Sequence, residues 1–108
     1  MVYAVISDIH SDIHSLNSVL KRINTMKFDK IVCLGDIVGY GENAEEVVQE
    51  IIKQNITCVC GNHEKALFND EAFEFMNVKA KKAINTNYDK LSDASLEFLS
   101  FLPGYWVE

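Results

Sequence analysis

Three short polar stretches of the sequence carry the residue types that bind metal ions or transfer protons. Each stretch follows a short apolar run and precedes a helical pattern, and in order they are Ser7-Asp8-Ile9-His10, Gly35-Asp36-Ile37-Val38-Gly39 and Gly61-Asn62-His63-Glu64. Asp8 and Asp36 are 28 positions apart, and Asp36 and Asn62 are 26 apart, close to the length of one βαβ unit. Because α/β proteins place their ligands where strands end, we expect the three stretches to form one site.

The segments between these stretches predict the elements that position them. Residues 2–6, 30–34 and 57–60 are predicted strands, and the continuous apolar run of the first is typical of a strand buried on both faces. Two amphipathic helical patterns connect the strands. The first ends near residue 26, and the second follows a capping box at Asn43 and has the apolar stripe Val47, Val48, Ile51 and Ile52. Residues 70–87 and a segment that begins at Ser92 predict two C-terminal helices, and residues 105–108 predict the start of a fourth strand.

The predicted fold class is therefore α/β, with three parallel strands joined by right-handed crossovers and the three polar turns at one edge of the sheet. We interpret residues 1–108 as a single domain, and the end of the chain inside a predicted strand indicates a C-terminal truncation. Crossovers in one direction place the helices on one face of the sheet and leave the other face bare. A bare apolar face predicts a homo-oligomer, joined through that face or through the C-terminal segment.

The residue types at the three turns favour a site for divalent cations. Carboxylate, imidazole and amide oxygen ligands suit Mn²⁺, Fe²⁺, Zn²⁺, Mg²⁺ or Ni²⁺, and they are offered by Asp8, His10, Asp36 and Asn62. Asp36 follows the middle strand, where a carboxylate can bridge two cations that together clamp a phosphoryl group. The three cysteines lie in predicted strands and are interpreted as buried thiols. His14 is interpreted as a solvent-exposed helix residue.

Each motif alone has an ordinary explanation as a helix cap or a tight turn, but the three in order resemble a known family. They are similar to the first three signature blocks of the calcineurin-like metallophosphoesterases, especially the small single-domain bacterial and archaeal phosphodiesterases. This resemblance implies one half of an αββα sandwich, built as parallel β-α-β-α-β. It implies that Asp8, His10 and Asp36 bind one metal ion, and that Asp36 and Asn62 bind a second. It further implies that His63 protonates the leaving group or steadies the phosphoryl oxygens, with Glu64 orienting it.

The sequence also departs from the pattern of that family. Ser11-Asp12 stands where members usually have Gly-Asn after the first block. Members complete the site with a later histidine and a Gly-His-x-His block, whereas this chain has three histidines in all, His10, His14 and His63. Two hypotheses follow: a metal-dependent phosphoesterase for phosphomonoesters or phosphodiesters, or a non-catalytic module that binds metal or phosphate weakly or acts as a partner subunit. A flavodoxin-like domain without a site is disfavoured by the position of the polar turns.

Composition limits the other classes of function. The formal net charge is −6 and the 10 basic residues are scattered, so the sequence lacks the basic footprint of a large nucleic-acid groove. The apolar runs are too short to span a membrane, and the first strand begins directly after Met1 without a signal peptide. We therefore expect a cytoplasmic protein whose substrate is a phosphoester small molecule or a nucleotide.

Overall fold

A computed structural model describes residues 1–107 of the chain. In this part of the chain strands and helices alternate up to the third strand, after which every element is helical. The strands are β1 (Tyr3–Ile6), β2 (Lys30–Cys33) and β3 (Thr57–Cys58). The helices are α1 (Ile13–Ile23), α2 (Ala44–Lys53), α3 (Asn62–Phe68), α4 (Asp70–Glu74), α5 (Val78–Lys90) and α6 (Asp93–Ser100).

The three strands form one parallel sheet in the order β1-β2-β3, which confirms the predicted topology. Ile6 is opposite Cys33, and Cys33 is opposite Cys58. Parallel neighbours need a crossover connection, and α1 and α2 provide the two crossovers. The carboxyl ends of all three strands therefore lie at one edge of the sheet, where the polar stretches follow them.

The hydrophobic core lies on one face of this sheet. Cys33 and Cys58 belong to it together with the apolar sides of the two crossover helices, namely Leu16, Leu20, Ile23, Ala44, Val47, Val48 and Ile51. Side chains that alternate with these along the strands point to the opposite face. There Val5 is 57% exposed, so the prediction that the first strand is buried on both faces is wrong. The strand is at the edge of the sheet, and within residues 1–107 the helices cover only its core-facing side.

Four helices follow β3, whereas the sequence pattern predicted two. The first, α3, starts inside the third polar stretch at Asn62. The predicted helix over residues 70–87 is interrupted after Glu74, because Asn77 caps a new helix by accepting a hydrogen bond from the Ala80 amide at 2.8 Å. The longest helix, α5, has 13 residues. None of the helices in residues 1–107 is both long enough and apolar enough to cross a membrane.

The predicted fourth strand is wrong for residues 105–107, which form no strand, and residue 108 lies outside the described part. This segment instead packs against the sheet through the ring of Trp106. The Trp106 ring meets the Tyr3 ring edge-on at 5.4 Å, and the Lys30 Nζ lies 5.1 Å from the Trp106 ring centroid. The amide of Cys60 donates to the Pro103 carbonyl at 2.7 Å and anchors the start of the segment. Burial of the aromatic ring therefore takes the place of ladder pairing here.

Candidate metal centre

Three loops at the carboxyl edge of the sheet form the candidate centre. We call them the first loop (residues 7–12), the second loop (residues 34–43) and the third loop (residues 59–61). Backbone hydrogen bonds join the first two, from the amide of Asp8 to the Gly35 carbonyl at 3.2 Å and from His10 to the Asp36 carbonyl at 3.0 Å. The amide of Ser11 continues this pattern to the Ile37 carbonyl at 2.8 Å. The two loops therefore run side by side as an extension of the parallel sheet.

Asp8, His10 and Asp36 converge, as the sequence predicted. Each offers one ligand atom, and these atoms lie within 4.8 Å of one another. His10 Nδ1 is 3.1 Å from the Val38 carbonyl, which can only accept, so Nδ1 donates this hydrogen bond and Nε2 is the ring nitrogen left to bind a cation. Nε2 lies 3.5 Å from an Asp8 carboxylate oxygen. Two carboxylates and an imidazole whose second nitrogen bonds a backbone carbonyl form a donor set that fits a divalent cation.

The three residues of this cluster adopt an uncommon backbone conformation. Asp8, His10 and Asp36 have φ values of 57°, 48° and 55°, and Ser11 and Tyr40 beside them have 60° and 52°. A positive φ is unfavourable for residues that carry a Cβ and costs on the order of 1 kcal/mol or more per residue. The surrounding hydrogen bonds must offset this cost. Such outliers collect at functional sites, where they aim side chains in directions that regular structure does not allow.

The third loop brings Asn62 and His63 next to Asp36. The amide of His63 donates to the Asp36 Oδ1 at 3.1 Å. Gly61 lies so close to Asp36 that any Cβ at this position would overlap it, which explains why the loop has glycine there. Asn62 is the first residue of α3, and it is exposed. Its backbone is therefore held beside the cluster of Asp8, His10 and Asp36, while its side chain is exposed to solvent.

His63 is buried next to the cluster, in contact with two other rings. Its ring centroid lies 4.6 Å from that of His10 and 5.0 Å from that of Tyr40. His63 Nδ1 is buried and has no hydrogen-bond partner in the described part of the chain. Burial lowers the pKa of His63, and the neighbouring His10 lowers it further, while Asp36 and Asp8 oppose the shift. The ring is therefore biased toward its neutral form, which can accept or donate a proton.

Glu64 makes contacts that the sequence did not predict. Its side chain is fully buried, and its carboxylate accepts four backbone hydrogen bonds instead of contacting the His63 ring. Oε1 accepts from the amides of Asp36 at 2.7 Å and Gly61 at 2.9 Å, and Oε2 from Ile37 at 2.8 Å and Val38 at 3.1 Å. Burial raises the pKa of Glu64, the amides of Val38, Gly61 and Asp36 oppose the shift, and the Asp36 charge adds to it. Glu64 therefore joins the second and third loops.

The sequence that contains these loops matches a known protein family over nearly its whole length. The model of the calcineurin-like phosphoesterases, Metallophos, matches residues 1–106. The chain belongs to this family.

Similar proteins extend this result. The chain is 42% identical over 100 residues to the uncharacterized protein MJ0912 of Methanocaldococcus jannaschii, a match that covers 93% of this chain and 41% of that protein. A metallophosphoesterase crystal structure from Sphaerobacter thermophilus superposes with a TM-score of 0.77 at 32% identity, covering 100% of this chain and 44% of that one. The hypothetical protein PH1004 from Pyrococcus horikoshii OT3 superposes at 0.83 and 21% identity, covering 99% and 50%. The chain thus spans half or less of each relative.

Two further residues of this calcineurin-like phosphoesterase chain belong to the centre but were missed in the sequence. Tyr40 places its ring 5.2 Å from that of His10, and nothing in the pattern around it indicated that contact. Asn87 is fully buried on α5. It interrupts an apolar helical stripe formed by Ala80, Ile84 and Leu91, all of them buried. A polar residue on the apolar side of a predicted helix indicates a buried hydrogen-bonding role, so the sequence did contain a signal for Asn87. The interpretation of His14 as exposed agrees with the structure.

Gly39 supports the buried histidine and provides a first test of the site. Its φ is +96°, and a Cβ would overlap Nδ1 of His63. We expect Gly39→Ala to lower the free energy of unfolding by ~2 kcal/mol or more, because alanine disfavours this backbone conformation and the ring must also move. Urea denaturation measures the loss. The matched control is Gly104→Ala, where an added Cβ meets nothing within 4 Å. Equal effects at both positions would contradict the packing described for His63.

Proposed function

We propose that this chain contributes the first half of a metal-dependent phosphoesterase centre, which hydrolyses phosphomonoesters or phosphodiesters with water as the nucleophile. The observation that carries the proposal is the convergence of Asp8, His10 and Asp36, whose ligand atoms lie within 4.8 Å of one another. Membership of the calcineurin-like phosphoesterase family supports the same reaction class. We further propose a phosphoester small molecule or a nucleotide as substrate and the cytoplasm as location.

These three side chains would hold one divalent cation, and Asp36 with Asn62 would contribute to a second. A divalent cation supplies a nucleophile from water at neutral pH and neutralises charge on a phosphoryl group. An open cavity of about 510 Å³ adjoins the cluster and is lined by Asp8, His10, Tyr40 and neighbouring loop residues. A volume of this size accommodates a small phosphoester. Mn²⁺ is the cation we choose for the tests.

His63 is the residue we propose for proton transfer to the leaving group or for contact with the phosphoryl oxygens. Burial and the neighbouring His10 lower its pKa, which makes the protonated ring a stronger acid toward a leaving group, while the N–H of the neutral ring can donate a hydrogen bond to a phosphoryl oxygen. Glu64 contributes indirectly, since its carboxylate holds the amides of the loops that carry Asp36 and Asn62. We therefore assign Glu64 to positioning and His63 to the chemistry.

The test of the proposed function is hydrolysis of a generic phosphodiester, bis(p-nitrophenyl) phosphate, with and without Mn²⁺. We expect slow hydrolysis that requires Mn²⁺ and falls at least ~100-fold in His63→Gln, because a positioned acid or base contributes ~10²–10⁴-fold. The matched control is His14→Gln, which changes an exposed histidine outside the metal cluster. Hydrolysis that is independent of Mn²⁺, or equal in both variants, would contradict the proposal.

The second hypothesis, a non-catalytic metal-binding module, is favoured by one observation. In residues 1–107 the cluster of carboxylate and imidazole ligands contains three residues, Asp8, His10 and Asp36. Three such ligands and one amide are few for two tightly bound cations. A chain that binds Mn²⁺ without any hydrolysis of the phosphodiester would support this second function.

We also propose that the exposed face of the sheet joins two copies of this chain. Val5 and Leu34 are each more than half exposed, and Tyr105 and Val107 of the C-terminal segment are exposed beside Trp106. Apolar area of this kind is usually buried in soluble proteins, at ~25 cal/mol per Å² before the costs of association.

The oligomer prediction is tested by sedimentation at micromolar concentration. We expect a homodimer or larger assembly that Val5→Lys converts to monomer, because a charge on the sheet face cannot be buried without a partner. Val19→Lys, which changes a 42% exposed valine on α1, is the control and should leave the assembly intact. A wild-type chain that sediments as a stable monomer would contradict the prediction.

A further inference from the structure

Asn87 is a buried polar residue that the proposed chemistry does not use. It lies on α5 with no exposed surface, and its three side-chain hydrogen bonds all go to the loops of the candidate centre. Its Oδ1 accepts from Ser11 Oγ at 2.8 Å and from the Gly39 amide at 2.7 Å. Its Nδ2 donates to the Gly41 carbonyl at 3.0 Å. One amide side chain therefore connects the first and the second loop.

The bond to Ser11 acts on the residue that follows His10. Ser11 has a φ of 60° and is fully buried, a conformation that favours glycine, and the chain nevertheless has serine there. The hydrogen bond from Ser11 Oγ to Asn87 stabilises this serine in the unfavourable conformation. Any relaxation of Ser11 would rotate the peptide that joins it to His10, and with it the imidazole that faces Asp8.

The bond to Gly39 acts on the other side of the centre. Gly39 packs directly over the His63 ring, and its amide proton is accepted by Asn87. Gly41 completes the connection, because its amide donates to the His10 carbonyl at 2.9 Å while its own carbonyl accepts from Asn87. The side chain of Asn87 on α5 therefore supports both His10, through Gly41, and His63, through Gly39.

We propose that Asn87 is a positioning residue, which holds the first and second loops in the arrangement that brings Asp8, His10 and Asp36 together and seats Gly39 over His63. This inference rests on the proposed function, because it requires that Asp8, His10 and Asp36 bind a metal ion. It predicts that metal affinity depends on a helix residue that touches no ligand side chain. Ser11 is the partner through which this dependence acts on His10.

The experiment compares Asn87→Ala, Ser11→Ala and the double variant in the 108-residue chain. Mn²⁺ affinity is measured by calorimetry, and exchange of the Gly39 amide proton by NMR without metal. We expect Asn87→Ala to weaken Mn²⁺ binding ~10–100-fold, as loss of an outer-shell partner does, and to accelerate Gly39 exchange. Ser11→Ala should weaken binding less, and the double variant should bind no more weakly than Asn87→Ala.

Two controls separate positioning from general destabilisation. Ile84→Val removes a buried methyl group one turn away on α5, and Asn85→Ala changes an exposed asparagine on the same helix. Both should keep Mn²⁺ affinity within ~2-fold and leave Gly39 exchange at the rate expected from global stability. Asn87→Ala behaving like Ile84→Val in both measurements would overturn the proposal.

The remaining outcomes are also decisive. A wild-type chain that binds no Mn²⁺ would contradict the proposed function, and Gly39 exchange in Asn87→Ala would then decide the role of Asn87 independently. Should Asn87→Ala not fold, Ser11→Ala decides, because it leaves the other bonds of Asn87 in place. Unchanged Mn²⁺ affinity in Ser11→Ala would then overturn the inference.

Discussion

Glu64→Gln is expected to cause a large loss of stability, about 2–4 kcal/mol in the free energy of unfolding at pH 7. The carboxylate of Glu64 accepts four amide protons in a fully buried position. Glutamine has one oxygen acceptor and presents an NH₂ group to amides that need an acceptor. Each buried group left unsatisfied costs ~1–3 kcal/mol, and two amides lose their partner. For a domain whose total stability is ~5–15 kcal/mol, this loss is severe.

Thermal and urea denaturation followed by circular dichroism measure this effect. A domain of this size loses roughly 4–8 °C in melting temperature per kcal/mol, so we expect a decrease of ~10 °C or more. Glu97→Gln is the matched control, since Glu97 is exposed on α6. A change of less than ~0.5 kcal/mol in Glu64→Gln would show that these four hydrogen bonds do not hold the second and third loops together.

Asp36→Asn is expected to weaken metal binding strongly while leaving the fold intact. The isolated chain should show one weak Mn²⁺ site by calorimetry, and the variant should weaken it at least ~100-fold. This exceeds the 10–100-fold effect of losing an outer-shell partner, because a neutral amide replaces a carboxylate ligand. Asparagine retains an oxygen that can accept the hydrogen bond from the His63 amide, so the third loop keeps its contact.

Asp89→Asn is the control for this second prediction, because Asp89 is an exposed carboxylate on α5 with the same change in charge. Its Mn²⁺ affinity should equal that of the wild-type chain, and both variants should keep the wild-type melting temperature within a few degrees. Two tight sites on the wild-type chain would show that the ligands absent from this sequence are dispensable. Binding unaffected by Asp36→Asn would remove Asp36 from the centre.

Much of the architecture could be predicted from local sequence patterns. Short β-branched runs and helical stripes determine strands and crossover helices, and parallel strands bring their carboxyl ends to one edge. The convergence of Asp8, His10 and Asp36 at this edge follows from these two features. The predictions of individual elements were wrong where a single capping or packing contact outweighed the hydrophobic pattern. Asn77 divided one predicted helix, and Trp106 packed on Tyr3 where a strand was predicted.

The sequence by itself determined the family, the order of the strands and which residues lie at the ends of the strands. Only the tertiary structure decided how those residues are held. The positive φ values of Asp8, His10 and Asp36 have no local signature in residues that carry a Cβ. The bond between Ser11 and Asn87 joins residues 76 positions apart, and the amides that bind Glu64 include several that lie 26–28 positions before it. Such contacts depend on how separate elements pack, and periodicity describes one element at a time.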